Sequence, residues 1–255
     1  MSKSFGDAML IDLETRVITC LTCNLPGAAF LRVMHLSDFH LGVPSRGRVA
    51  VERAVRWTAE RQPDLVCLTG DLLSRASGEG RLRALLEQLG HPYVVLGNHD
   101  IAVSRDPFSR AVELDALEHG VVLSDEIVHV ELRGAAVEIG GVDPRSWLDR
   151  KASGFPDASD APLRLLLCHF PEVLGVVLDG RWSLILAGHL HGGQIVLPYG
   201  RRRRLMFAHP RARYDRGLYW RGRTIMHLSP GLGTTFLPLR FFARPEATEL
   251  VLRCG

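Results

Sequence analysis

The sequence predicts an α/β fold in which two β-sheets pack face to face and helices lie outside them. Between residues 31 and 118, short apolar runs alternate with stretches of helical periodicity, as in a parallel sheet covered by helices. After residue 120 the apolar runs follow one another with little helix between them, which predicts a second sheet. Of the 255 residues, 46% are hydrophobic and 23% are charged, and these proportions exclude a disordered chain.

Three apolar runs in the first half predict strands. They are LRVMHL (31–36), DLVCLT (64–69) and YVVL (93–96). Apolar residues at helical spacing predict one helix around Val51–Thr58 and another around Leu82–Leu89. Asp106 and Pro107 are typical of an N-cap and a first helical position, so we expect a third helix from there to about Glu118.

The second half consists of closely spaced apolar runs. The predicted strands are 121–123, 126–132, 136–142, 163–168, 183–188, 217–220, 224–229 and 248–253. The polar segment 143–162 is interpreted as an excursion from the core. We therefore expect one domain over residues 31–255. Residues 1–30 form an N-terminal extension that either adds a strand (Thr15–Cys23) beside the first one or is partly disordered.

Side chains that can bind metal ions stand at the ends of several predicted strands. They are Asp38 and His40, then Asp71, then Asn98, His99 and Asp100, then His169, and finally His189 and His191. Because ligands gather beyond the carboxyl ends of strands in open α/β sheets, we expect these side chains to converge. Each fragment alone is also an ordinary turn or a core histidine, but five fragments in this order favour one site.

The residue types indicate which metals the site would take. Asp38/His40 and His189/His191 can each act as a pair, because residues i and i+2 of an extended segment face the same way. Carboxylate or amide oxygens together with imidazoles, and no thiolate, suit Mn, Fe, Zn, Co or Ni.

This series of motifs resembles the signature of the calcineurin-like metallophosphoesterases. The signature D-x-H, G-D, G-N-H-[ED], H and G-H-x-H stands here as 38–40, 70–71, 97–100, 169 and 188–191. The resemblance implies a four-layer α/β/β/α sandwich of two mixed sheets flanked by helices, with two divalent metal ions. It implies that Asp38, His40 and His191 hold one ion. It also implies that Asn98, His169 and His189 hold the other, and that Asp71 bridges them.

The expected chemistry follows from two ions about 3.5–4 Å apart, which activate a shared water and clamp the attacking and leaving oxygens. We expect a metal-bridging hydroxide to attack phosphorus in line, and His99 to stabilise the transition state or protonate the leaving alkoxide. Several branches of the family carry an Asp three residues after the Gly-Asp, paired with the histidine that corresponds to His99. The residue here is Ser74. We expect its hydroxyl to orient His99, with Asp100 or water as the alternative support.

The C-terminal third points to a class of substrate. Residues 188–198 and 229–252 resemble a bacterial, envelope-associated phosphodiesterase branch, some of whose members cleave the pyrophosphate of UDP-diacylglucosamine. From Arg201 to Arg223 there are nine Arg and one acidic residue, interleaved with aromatic and aliphatic side chains. Such a surface suits an amphiphilic anionic substrate or anionic membrane lipid. The substrate-binding candidates are Arg201, Arg202, Arg203 and Arg204.

Several alternatives stay open at this point. The Arg-rich segment is also compatible with a solvated loop over core aromatics and, less favoured, with a surface for single-stranded nucleic acid. For the reaction, a phosphodiesterase or pyrophosphohydrolase acting on a lipid-linked or nucleotide-linked substrate is preferred over a nuclease or a cyclic-nucleotide phosphodiesterase. A non-catalytic scaffold is disfavoured, because no ligand of the signature is missing. A monoesterase, including a protein phosphatase, is also left open, as are the metal identity and the oligomeric state.

The cysteines and the apolar runs suggest a compartment. Cys20 and Cys23 form one C-x-x-C pair without a second pair, and Cys67 and Cys168 lie in apolar runs that predict core positions. We therefore expect a reduced cytoplasmic chain, with peripheral attachment to the inner membrane left open. Acidic residues, not a basic lead-in, precede the uncharged run 17–31, so a signal peptide is not expected. No apolar run reaches the length of a membrane-spanning helix.

Overall fold

The computed structural model describes residues 11–25, 30–45, 47–150, 159, 161–199, 202–205 and 212–254. These residues form two six-stranded sheets, a two-stranded hairpin and three α-helices. In chain order the strands are β1 (Asp12–Cys20), β2 (Phe30–Leu36), β3 (Leu65–Thr69), β4 (Tyr93–Val95), β5 (Val121–Val122), β6 (Glu126–Leu132), β7 (Ala135–Gly141), β8 (Leu163–Leu167), β9 (Leu184–Ala187), β10 (Val196–Tyr199), β11 (Arg202–Leu205), β12 (Gly217–Arg221), β13 (Thr224–Leu228) and β14 (Glu246–Cys254). The helices are α1 (Gly47–Arg61), α2 (Glu79–Leu89) and α3 (Pro144–Leu148).

The first sheet has the order β1-β14-β2-β3-β4-β5. Strands β2 to β5 are parallel neighbours, whereas β14 runs antiparallel to β2 and parallel to β1. The predicted extra strand thus lies at Asp12–Cys20, and β14 separates it from β2. The helices α1 and α2 cover the outer face, where Val55, Leu82 and Leu86 pack against strand residues such as Leu68. Burying each of these side chains stabilises the fold by roughly 1.5–3 kcal/mol.

The second sheet has the order β12-β13-β9-β8-β7-β6 and packs against the first through an apolar layer that includes Val33, Cys67, Leu165 and Leu186. Its outer face is covered by short elements, among them the 3₁₀ helix Pro171–Gly175. The side chain of Trp182 is fully buried in the apolar cluster on this face. The predicted four-layer α/β/β/α arrangement is confirmed, although the outer layer of the second sheet is built from much shorter helices than that of the first.

A pair of buried histidines joins the two sheets. His35 on β2 and His227 on β13 are fully buried, and their Nδ1 atoms lie 2.7 Å apart. The Nε2 of His35 lies 2.9 Å from the hydroxyl of Thr69, whereas the Nε2 of His227 has no hydrogen-bond partner among the described residues. Burial lowers the pKa of His35 to about 3 and that of His227 well below its usual range. Both rings are therefore neutral at physiological pH.

The helix predicted between residues 106 and 118 does not form, so that prediction is wrong. The Asp106 carboxylate accepts a hydrogen bond from the Phe108 N–H (2.9 Å), as an N-cap would, but the chain then turns instead of continuing as a helix. The N–H of Arg110 donates to the carbonyl of Ser74, and that of Leu114 to the carbonyl of Asp100. These bonds to neighbouring loops take the place of helical ones, because an Asp-Pro start is equally suited to a turn.

The cysteines differ from the expected reduced set. Cys23 and Cys254 form a disulfide with their Cα atoms 5.2 Å apart, which ties the segment after β1 to the end of β14. The remaining three, Cys20, Cys67 and Cys168, are free and buried, as expected for Cys67 and Cys168. Burial raises the pKa of Cys20 to about 12, so its thiol is not ionised. The pairing was missed because its two members are 231 positions apart in sequence.

Among the described residues, no helix combines the length and the apolar character that crossing a bilayer requires.

Candidate dinuclear metal centre

The carboxyl ends of strands from both sheets meet at one edge of the sandwich. Gly188 follows β9 and Gly70 follows β3. A Cβ on Gly188 would overlap the side chain of Ser37, and a Cβ on Gly70 would approach His169. The loops after β2, β3, β8 and β9 are therefore in direct contact, which brings the residues predicted from their positions along the chain to a common place.

Two groups of ligand atoms lie at this edge. The first consists of Asp38, His40, Asp71 and His191, and the second of Asp71, His169 and His189. Within each group the ligand atoms lie within 4.8 Å of one another, and Asp71 belongs to both. All of these side chains are buried except that of His189, which is half-buried. Six of the seven sequence-predicted ligands are thus brought together around one shared carboxylate.

Within each group, ring nitrogens and carboxylate oxygens lie close to one another. The Nε2 atoms of His40 and His191 lie 3.1 Å apart, and Nδ1 of His189 lies 3.1 Å from Nε2 of His169. Oδ2 of Asp71 lies 3.5 Å from Nε2 of His40 and 3.4 Å from Nε2 of His169. Imidazole and carboxylate atoms that face one another in this way suit divalent cations of the Mn, Fe, Zn, Co and Ni type.

The seventh predicted ligand, Asn98, adjoins Asp71 through the backbone, because the N–H of His99 donates to Oδ1 of Asp71 (2.9 Å). The amide nitrogen of Asn98 donates to the carbonyl of Val103 (2.9 Å). Its Oδ1 is buried and has no hydrogen-bond partner among the described residues. A buried polar atom without a partner destabilises the fold by about 1–3 kcal/mol. A cation bound at this position would give Oδ1 of Asn98 the partner that it lacks.

The backbone at the ligands is strained. Five of the predicted ligand residues have left-handed conformations: Asp38 (φ 55°), His40 (47°), Asp71 (54°), His189 (77°) and His191 (51°). Such conformations cost non-glycine residues about 1–3 kcal/mol each and persist where the surroundings enforce them, commonly at functional sites. Gly97 allows its own backbone to lie directly against Asp71, since a Cβ at this position would overlap Oδ1 and the backbone nitrogen of Asp71.

Hydrogen bonds to the other ring nitrogens orient the histidines. His169 donates from Nδ1 to the carbonyl of Thr69 (2.7 Å), which directs its Nε2 edge to Asp71. His40 Nδ1 lies 2.9 Å from the hydroxyl of Ser74. Such partners fix the tautomer and the direction of a ligating ring. Losing one of them typically lowers metal affinity or activity roughly 10- to 100-fold.

The guanidinium of Arg240 supports the loop that carries His191. Its Nη1 donates to the carbonyls of His191 (3.0 Å) and Pro230 (2.8 Å), and its Nη2 lies 3.2 Å from Nδ1 of His191. No motif in the sequence marked Arg240 for this role.

Burial and mutual charge shift the pKa values of the ligands. Burial raises the pKa of Asp38 to about 7, with Asp71 adding to the rise and His169 opposing it. Burial lowers the pKa of His40 and that of His191 well below the usual range, so both rings are neutral. For His169, burial acts to lower the pKa, but the carboxylate of Asp71 outweighs it and raises the pKa to about 9. Cation binding at His169 would therefore release a proton.

His99 lies beside the two ligand groups without belonging to either of them. Its Nε2 is 3.9 Å from Oδ2 of Asp71, and its ring packs edge-on against that of His40 with centroids 4.6 Å apart. The catalytic role of His99 stays a prediction.

The predicted support of His99 is wrong in its residues. The hydroxyl of Ser74 contacts His40 and not His99. Asp100 is fully buried and accepts hydrogen bonds from the N–H groups of Leu72, Leu73 and Gly97, so it holds the backbone in place. The groups that hydrogen-bond to the ring of His99 are two hydroxyls that the sequence analysis missed: Ser109 at Nδ1 (3.0 Å) and Ser104 at Nε2 (3.1 Å). No motif marked either of them.

The basic segment is only partly described. Arg201 lies outside the described residues, and the backbone of Arg202, Arg203 and Arg204 forms β11, which pairs with β10. The hairpin lies next to the loop of residues 230–245, because Ile195, the residue before β10, forms a β-bridge with Phe241. The substrate-binding role of the arginines stays a prediction.

The chain is similar in sequence to one protein family and to several known proteins. Residues 31–193 match the model of the family described as calcineurin-like phosphoesterase. The uncharacterized metallophosphoesterase YkoQ of Bacillus subtilis strain 168 is 30% identical over 231 residues, or 88% of this chain and 84% of YkoQ. The phosphodiesterase YaeI of Escherichia coli strain K12 is 28% identical over 238 residues, or 88% of this chain and 83% of YaeI. The solved structure of a 5′-nucleotidase precursor from Thermus thermophilus matches 88% of this chain and 54% of its own, with a TM-score of 0.47 and 14% identity.

Proposed function

Since the chain belongs to the calcineurin-like phosphoesterase family and is thus a metal-dependent phosphoester hydrolase, we propose that it cleaves a phosphodiester or pyrophosphate bond by in-line attack of water. The observation that carries the proposal is the pair of buried ligand groups that share Asp71. The name of the relative YaeI, a phosphodiesterase, supports the choice of a diester. The G-H-x-H form at residues 188–191 supports the same choice.

The proposed ligand sets follow the two groups of side chains. Asp38, His40 and His191 would hold one divalent ion, His169, His189 and Asn98 would hold the other, and Asp71 would belong to both sets. The orphaned Oδ1 of Asn98 supports its inclusion. When bound, two divalent ions lower the pKa of a water molecule and neutralise charge on the phosphoryl oxygens.

The protein itself contributes a negative charge on Asp71 and a proton from His99. The carboxylate of Asp71 keeps its negative charge: burial opposes ionisation, but His169 and His99 hold its pKa well below the usual range. His99 is buried, with an exposed fraction of 7%, and the Nε2 edge of its ring is directed to the ligand groups. We assign to His99 the stabilisation or protonation of the leaving oxygen, a role that contributes roughly 10²–10⁴-fold to rate in other enzymes.

The proposed substrate is an amphiphilic phosphoester with a lipid or nucleotide part. Leu237, Leu239 and Phe241 are 37%, 47% and 43% exposed on the loop that contains Arg240, and Arg240 contacts His191. An apolar rim so close to the ligand groups supports an acyl chain or an anionic lipid surface as the neighbour. A nuclease or cyclic-nucleotide activity is the alternative outcome of a substrate survey.

The first test is hydrolysis of bis-p-nitrophenyl phosphate and of p-nitrophenyl phosphate, with each of Mn²⁺, Fe²⁺, Zn²⁺, Co²⁺ and Ni²⁺. We expect metal-dependent turnover that is greater on the diester and is abolished by EDTA. Asp71→Asn should lose both bound metal and activity, whereas His91→Ala, at an exposed histidine, serves as the matched control. Absence of turnover with every ion would favour a non-catalytic scaffold.

The second test addresses the substrate. Purified protein is assayed against UDP-linked lipids, phospholipids, cyclic nucleotides and oligonucleotides, and its co-sedimentation with liposomes is measured with and without anionic lipid. Preferential cleavage of a lipid-linked substrate together with anionic-lipid binding would support the proposal. Indifference to lipid combined with salt-sensitive oligonucleotide binding would overturn the lipid part of it.

A further inference from the structure

The loop between Ile101 and Glu113 carries two hydroxyl groups to the two edges of the His99 ring. The loop is closed at its base by a β-bridge between Ile101 and Glu113. From it, Ser109 Oγ lies 3.0 Å from Nδ1 of His99, and Ser104 Oγ lies 3.1 Å from Nε2. The ring is thus held at both nitrogens by one short segment of chain.

The hydrogen bonds at Ser109 determine where the ring keeps its proton. Asp106 is buried, and its Oδ1 is occupied by the N–H of Phe108 (2.9 Å). Its Oδ2 accepts a hydrogen bond from the hydroxyl of Ser109 (3.3 Å). A hydroxyl has a single proton. Having donated that proton to Asp106, the Ser109 oxygen can only accept at His99, so Nδ1 carries a hydrogen.

The bonds at Ser104 lead to the same tautomer. The N–H of Asp106 donates to Oγ of Ser104 (3.1 Å), which leaves the proton of Ser104 free for Nε2 of His99. A neutral ring that accepts at Nε2 must be protonated at Nδ1. The Nε2 edge is also the one that lies 3.9 Å from Asp71. The lone-pair edge of the ring therefore faces the ligand groups.

We propose that Asp106 and Ser109 are positioning residues that hold His99 as the Nδ1–H tautomer, with Nε2 presented to the leaving oxygen of the substrate. This role rests on the proposed hydrolysis. Nε2 first takes up a proton from solvent; when this proton passes to the leaving oxygen, the N–H bond breaks, an O–H bond forms and the electron pair stays on Nε2. The ring that results is the Nδ1–H form, which Ser109 and Asp106 already stabilise. The substrate oxygen takes the place of the Ser104 hydroxyl at Nε2.

The tautomer is tested directly by long-range ¹H–¹⁵N NMR of histidine-labelled protein loaded with diamagnetic Zn²⁺, with His99→Ala to assign the signal. We expect the Nδ1–H form in the wild type and its loss in Ser109→Ala. Ser77→Ala, a matched removal of an exposed hydroxyl bonded elsewhere, should leave the signal unchanged. A wild-type ring protonated at Nε2 alone would overturn the proposal, whether or not the protein is active.

The kinetic test separates positioning from general structural damage. Ser109→Ala should lower kcat about 10- to 100-fold, as losses of orienting partners do, with KM and bound metal unchanged. Ser109→Thr, which keeps the hydroxyl, should retain most of the activity. In a His99→Ala background, Ser109→Ala should cause no further loss, because the two residues act as a unit.

Two kinetic results would count against the proposal. An equal further loss in the His99→Ala background would show that Ser109 acts on the site by another route, and an unchanged kcat in Ser109→Ala would remove its role. A wild-type protein without metal-dependent turnover would instead overturn the proposed hydrolysis, and the NMR result would still decide the tautomer.

Discussion

Replacing His35 by asparagine should flatten the dependence of folding stability on pH. The side chain is fully buried at the interface of the two sheets, and burial lowers its pKa from the ordinary 6.5 to about 3. The unfolded chain therefore takes up a proton as pH falls below 6.5, while the folded chain does not. Stability contributed by the neutral ring is present above pH 6.5 and is lost as pH falls toward 3.

The loss of stability at a given pH follows from the difference between that pH and the ordinary pKa of histidine. At pH 5 the unfolded His35 is 1.5 pH units below its ordinary pKa of 6.5. At about 1.36 kcal/mol per unit, protonation of the unfolded chain costs the native state about 2 kcal/mol. That is a large share of a typical unfolding free energy of about 5–15 kcal/mol. Burial also lowers the pKa of His227, with His35 and Arg16 contributing, so its protonation acts in the same direction.

The assay is urea unfolding at pH 8 and at pH 5, followed by tryptophan fluorescence in excess EDTA. His35→Asn keeps a polar atom near the Nδ1 position that faces His227, and the ligand histidines titrate equally in both proteins. Between pH 8 and pH 5, we expect the free energy of unfolding to fall by about 2 kcal/mol less in the variant than in the wild type. At pH 8 the variant itself should be the less stable of the two. The exposed-site control His91→Asn should behave as the wild type does.

An equal loss of stability in His35→Asn and in the wild type would refute the reasoning, because it would mean that His35 is protonated in the folded chain. If His35→Asn does not fold, His227→Asn provides the same comparison from the opposite sheet. It keeps a polar atom at Nδ1 and removes the Nε2 that lacks a partner among the described residues.

Three further changes test the site and the disulfide. His99→Ala should lower turnover roughly 10²–10⁴-fold and leave bound metal intact, because the ring faces the ligands without joining them; loss of metal, measured by elemental analysis, would contradict its assignment. Gly97→Ala should lower both metal content and activity, since the new Cβ would overlap Asp71; full metal occupancy in this variant would show that the loop can yield. Cys23→Ala should lower the unfolding free energy by about 2–4 kcal/mol, as removal of a native disulfide does, and reduction of the wild type should reproduce the effect. Identical denaturation midpoints with and without reductant would show that the link to Cys254 does not stabilise the fold.

The strands and the metal ligands could be predicted because their signals are local. A run such as LLL at 165–167 is apolar on both faces, as a strand between two layers must be, and it lies in β8. Asp38 and His40 come directly after β2. Predicting the end of this strand correctly therefore also located these two side chains. The loop of residues 101–113 gave no such signal. Its path depends on bonds such as Arg110 to the carbonyl of Ser74, which no pattern within the loop reveals.

The support of His99 was mispredicted for a related reason. A residue three positions after Gly70–Asp71 was expected to contact His99, but Ser74 lies on the side of His40. The true partners come from a loop that the sequence suggested was a helix, and a helix starting at Asp106 would not have returned Ser109 to the ring. An error in one element thus concealed the hydroxyls that orient the proposed proton donor.

The position of β14 has a consequence for synthesis of the protein. This strand lies between β1 and β2 and is the last strand of the described chain, so residues 246–254 leave the ribosome after every other strand of their sheet. Until they emerge, the nascent chain carries β1 without its neighbour and β2 with an open edge that can pair with other chains. Residues 246–254 must therefore be synthesised before this half of the molecule can close, and a nascent chain arrested before residue 246 should be bound by chaperones.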